Sequence, residues 1–97
     1  MPTYVTLFKL TDQGAKNIQE TPRWIENGTK AWEGMGGRVI GFYIVLGEYD
    51  FVGIGEAPDD EVMAAFSATL SSQGKVRLMT LKGFTPEEFA RILEQAR

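Results

Sequence analysis

Two groups of side chains in this sequence have the types and spacing to bind or transform a molecule. One is a pair of tryptophans, Trp24 and Trp32, and the other is Tyr43, Tyr49 and Asp50 around the stretch LGEYD. Asp50 lies on the strand parity of Tyr43, Val45, Val52 and Ile54, where a carboxylate among apolar neighbours is costly unless paired. A turn acceptor, or an ion pair with Lys9, Arg77 or Lys82, would account for it structurally. A functional reading sets Tyr43, Tyr49 and Asp50 at the mouth of a pocket, with Asp50 as the candidate catalytic proton carrier. The tryptophans admit two readings as well. At 100° per residue Trp24, Ile25, Gly28, Ala31, Trp32 and Met35 form one apolar stripe. Either Gly28 lets this helix pack closely on a sheet, or the two indoles flank a ligand groove.

Other chemistries fall away on composition. Cysteine and histidine are absent, which removes thiol nucleophiles, thiolate or imidazole metal sites and the commonest general base. No metal and no cofactor is expected. Gly53-Ile54-Gly55 runs from a strand towards a helix, yet the third glycine of a dinucleotide fingerprint is missing. Asp59, Asp60 and Glu61 also stand where a pyrophosphate would sit. Asp50 and Glu56 share a strand face but lie about 20 Å apart at ~3.3 Å per residue, too far for paired-carboxylate glycosidase chemistry. Asp59-Asp60 has helix-cap character and no EF-hand spacing behind it. A net charge of −3 and the absence of a basic RNP1 segment argue against nucleic-acid binding. Nothing approaches the ~20 apolar residues of a membrane span, and the start lacks the features of a signal peptide, so the expected location is cytoplasmic.

These residues need a scaffold, and the chain supplies one domain, 1–97. A composition 43% apolar and 24% charged is that of an ordinary globular fold. Thr3 to Leu10 reads as a first strand, and Thr11-Asp12 as the start of a helix that Pro22 interrupts and restarts. Gly34 to Gly37 end that helix. Arg38 to Glu56 reads as a β-hairpin about a two-residue turn at Gly47-Glu48, with Ile44 opposite Phe51 and Tyr43 opposite Val52. Acids at 59–61 open a helix to about Ser72, with Val62, Met63, Phe66 and Leu70 inward. Lys75 to Phe84 is a last strand, and Thr85-Pro86-Glu87-Glu88 is a capping box opening a terminal helix. The order βαββαβ plus a helix predicts an α+β, ferredoxin-like sandwich with sheet order 4-1-3-2 and two helices on one face. Apolar residues on both strand parities leave the second face needing a cover, most simply a second subunit clasped by the terminal helix.

MPTYVTLFKLTDQG, GGRV-x-GFY, LGEYD, EAPDDE and the late R-x-x-T-L followed by FTPEEF together resemble the GYD family along nearly the whole chain. Gly47, Tyr49 and Asp50, with Glu48 between, match its naming motif. Gly53-x-Gly55 departs from the bulkier residues expected on that strand. The resemblance implies a dimeric α/β barrel, an architecture shared with cofactor-free monooxygenases, muconolactone isomerases and ligand-sensing regulator domains. It implies no reaction. The expected function is a homo-oligomeric binding or regulatory module that partners itself and a small, partly apolar ligand, with Trp24, Trp32, Tyr43, Tyr49 and Asp50 as binding residues. The alternative is a cofactor-independent enzyme of monooxygenase or isomerase type, using Asp50 or a tyrosine to carry the proton.

Overall fold

In β1 (Thr3–Leu10), Tyr4, Thr6 and Phe8 are buried on one face while Val5 and Leu7 lie half-buried on the other. This strand is central. A computed structural model, describing residues 1–96, places it inside a four-stranded antiparallel sheet of order β2-β3-β1-β4, with β2 at Arg38–Ile44, β3 at Phe51–Glu56 and β4 at Val76–Gly83. The expected ferredoxin-like strand order is the one found. Helices α1 (Asp12–Lys16), α2 (Thr21–Gly34), α3 (Asp60–Ser72) and α4 (Pro86–Gln95) complete the chain, with a 3₁₀ turn at Ile18–Glu20 between α1 and α2.

Local signals set the helix ends. The Thr11 hydroxyl accepts from the Gly14 N–H to start α1, and Asp59 accepts from the Val62 N–H to start α3. The Thr85–Glu88 capping box forms in full at α4. Pro22 lies in the first turn of α2, where its missing N–H costs nothing, but the cap position is Glu20 and not Thr21. Gly36 at φ 91° and Gly74 at φ 75° take the left-handed conformation after α2 and α3, which side chains with a Cβ resist.

The core lies between the sheet and α2 with α3. Tyr4, Trp32, Ala57 and Met63 form one cluster, and Phe8, Phe51, Leu70 and Val76 the other, with Phe66 touching both. Phe8 is ringed by aromatics, with centroids 5.9 Å from Trp24, 5.7 Å from Phe42 and 6.4 Å from Phe51. On the opposite face Val5 pairs with Ile54 and Leu81, and Leu7 with Val52 and Met79, making an apolar surface uncovered by any helix of this core.

The hairpin follows its expected register where Tyr43 meets Val52 and Ile44 meets Phe51, and departs from it at two places. Strand pairing stops at Ile44 and Phe51, so residues 45–50 form a longer loop in place of a two-residue turn. Only a Val45 N–H to Asp50 C=O bond of 2.9 Å extends the pairing. Upstream, the register shifts between Val39 and Gly41, leaving Ile40 as an extra residue. That bulge turns Val39 onto the helix face opposite Gly55, while Gly41 falls opposite Ile54. Counting from the turn cannot reveal such a shift, because one inserted residue reverses every face beyond it.

Candidate functional site

Between α2 and the sheet lies a cleft of about 560 Å³, part of it open to solvent. Its walls follow from small residues. On β3, Gly53 and Gly55 stand on the helix-facing parity where larger side chains would fill the space, and across from them α2 presents Gly28. The nearest neighbours of a Cβ at Gly53 would be the Phe42 and Phe8 rings at 3.3 and 3.4 Å, and at Gly55 the Trp32 Nε1 at 3.1 Å. At Gly28 no atom lies within 4 Å of such a Cβ. The close packing envisaged for Gly28 is therefore absent, and its missing side chain contributes to the empty space.

Trp24 and Trp32 both line this cleft. Trp32 is 5% exposed, with its indole against Phe66 at 4.8 Å between ring centroids. Gly37 also presses on it, and a Cβ there would come within 2.5 Å of the indole. Trp24 packs against Phe8 and Phe51 and donates its Nε1–H to Gln73 Oε1 at 3.1 Å. Thr29 donates its hydroxyl to the Ile25 carbonyl at 2.9 Å. Among the described residues no charged side chain lines the cleft.

Tyr4 reaches from the floor to a polar knot at its edge. Its hydroxyl donates to Asp60 Oδ1 at 2.5 Å, and Lys82 Nζ lies 3.0 Å from the same carboxylate. Burial, reinforced by the bond to Asp60, pushes the Tyr4 phenol from 10.0 up to about 12, and the bonds from Tyr4 and Lys82 hold Asp60 below the usual carboxylate range. A phenol harder to ionise in the folded state gives stability that is complete below pH 10 and is lost as pH rises towards 12. The wild-type melting temperature is therefore expected to fall more steeply over this range than that of Tyr4→Phe, and parallel curves would refute the assignment. Asp60 works in the opposite sense, its contribution fading as pH falls below about 4.

The remaining residues singled out by sequence stand elsewhere. Asp50 Oδ2 accepts the Leu10 N–H at 2.8 Å, and the Asp50 N–H donates to the Phe8 carbonyl at 2.8 Å. It joins the hairpin loop to the end of β1. Among the described residues no lysine or arginine forms an ion pair with it. Tyr43 is 61% exposed and opposite Val52, on the sheet face away from the cleft, and the Tyr49 hydroxyl donates to Met79 Sδ at 3.7 Å. None of the three lines the cleft. The structure brings Trp24 and Trp32 to one cavity and leaves Tyr43, Tyr49 and Asp50 outside it. Sequence reasoning missed Thr6, Met63 and Phe66 as lining residues. It did register Gly53-x-Gly55 as an anomaly, and that anomaly was the cleft's signal.

A GYD domain profile matches residues 4–93. A Thermus thermophilus protein described as a glutamine synthetase and cystathionine beta-lyase binding protein is 41% identical over 83 residues, covering 84% of this chain and 87% of its own length.

Proposed function

The chain belongs to the GYD family, and from that premise we propose that it is a homo-oligomeric binding module with a regulatory role. It takes a small, largely apolar molecule between α2 and the sheet, and it engages a protein partner through apolar surface outside that cleft. The observation carrying the proposal is where large apolar groups remain uncovered. Val5, Leu7, Val52 and Ile54 lie half-buried on the second sheet face beside exposed Met79 and Leu81. Helix α4 has no buried residue, and its stripe includes Phe89 at 52% and Leu93 at 53% exposure. A helix of about 10 residues with an unburied stripe is marginal alone, and contact with a second copy would supply the missing burial.

The relative's description supports protein binding as the purpose of such a module, with glutamine synthetase and cystathionine β-lyase as the partners to test first. The enzymatic alternative gains nothing from the cleft: the Asp50 carboxylate is engaged by Leu10 away from it, and the Tyr4 hydroxyl donates to Asp60.

Light scattering is expected to give a dimer or larger species at micromolar concentration. Immobilised glutamine synthetase or cystathionine β-lyase should retain the protein. Phe89→Glu with Leu93→Glu is expected to weaken self-association at least tenfold and leave the sheet domain folded, because both side chains are exposed and no residue of α4 is buried within the chain. A monomer that neither enzyme retains would end this reading.

A further inference from the structure

The geometry points to a neutral, flat, bicyclic aromatic molecule with a single hydrogen-bond acceptor as the ligand class of the cleft, an inference that rests on reading the cleft as a small-molecule site. Gly28 is the first ground. A glycine inside a helix is less stable there than alanine, and no neighbour within 4 Å requires its small size. What it does is hold space open opposite Gly53. Shape is the second ground. Trp24 and Trp32 stand eight residues apart on α2, about 12 Å of axial rise at 1.5 Å per residue, and a bicyclic ring is of a length to lie between them. Phe8, Phe42 and Phe66 also line the cleft, and aromatic rings favour offset or edge contact with another aromatic ring over a flexible chain.

Electrostatics fixes the rest. Among the described residues no cation or carboxylate lines the cleft, so a charged ligand would lose its hydration without compensation. Gln73 occupies the Trp24 N–H and Ile25 the Thr29 hydroxyl. The Trp32 Nε1–H and the Thr6 hydroxyl make no hydrogen bond among the described residues, and neither is a sealed, unsatisfied group. A ligand carbonyl or ether oxygen would find its donor in one of these two groups.

The test is an NMR titration of the full chain with four probes, following both indole N–H resonances: 1-indanone, indane, indane-1-carboxylate and 1-octanol. The expected result is saturable binding of 1-indanone with a downfield shift at Trp32. Indane should bind roughly fivefold to tenfold more weakly for want of the acceptor, and the carboxylate and octanol more weakly still. Gly28→Leu should fill the slot and abolish binding. Gly28→Ala should melt ~3 to 6 °C higher than wild type and bind 1-indanone several-fold more weakly, so a site effect stays visible even if the leucine variant folds poorly. Octanol or the carboxylate binding as tightly as 1-indanone would overturn the ligand class and leave the cleft a binding site. Indifference of 1-indanone to Gly28→Ala would overturn the placement at Gly28. No shift of either indole with any probe would remove both the class and the cleft's role as a small-molecule site.

Discussion

Phe8→Ala is expected to remove about 3 to 5 kcal/mol of stability, the range for deleting a buried aromatic side chain whose space cannot collapse. The site gives that collapse little room. Phe8 is 5% exposed on the central strand, where β1 and β3 make their last pair, and its ring touches Trp24, Phe42 and Phe51 at once. Truncation would enlarge a cleft that is already partly empty on one side, and the edge-to-face contact with Trp24 at 88° would vanish with it. Since small domains hold about 5 to 15 kcal/mol in total, the variant should unfold at a much lower urea concentration than the parent. A loss below about 1.5 kcal/mol would mean that Phe8 does not hold α2 to the sheet.

Asp50 yields the second large effect, and a pair of substitutions separates its roles. Asp50→Ala leaves the Leu10 N–H without its acceptor at a partly buried strand end, an expected cost of about 1 to 3 kcal/mol. Asp50→Asn keeps an oxygen in place and should cost no more than ~1 kcal/mol, with self-association and partner binding intact. Urea unfolding of both variants, read beside light scattering, decides the matter. If asparagine proves as damaging as alanine, the negative charge itself is needed and the account of Asp50 as a strand-joining acceptor fails.

The contrast between these residues shows what the sequence carries and what it does not. Caps are local, so Thr11, Asp59 and Thr85-Pro86 were legible from a few neighbouring residues each. The placement of Gly47-Glu48 between the two apolar runs gave the register at Tyr43 and Ile44. The bulge at Ile40 has no local signature, so the facing of Arg38 and Val39 could not be counted back from the turn. Sites suffered more than elements. Asp50 looked like a carboxylate stranded among apolar groups because its partner, the Leu10 N–H, lies 40 positions away in the chain and belongs to the backbone, which no side-chain pattern records. The cleft is defined by atoms that are missing at Gly28, Gly53 and Gly55, and absence on two separate elements becomes a cavity only when they are brought face to face.

The chain has two tryptophans, and both line that cleft. Its near-ultraviolet emission therefore originates wholly from the cleft walls, with tyrosine signal set aside by exciting at the red edge of the indole band. Trp32, nearly sealed against Phe66, should emit at shorter wavelength than half-buried Trp24, whose N–H is held by Gln73. The protein thus carries a built-in, two-colour optical gauge of how wet the cleft is, readable without a label in dilute solution and in complex with any partner that lacks tryptophan.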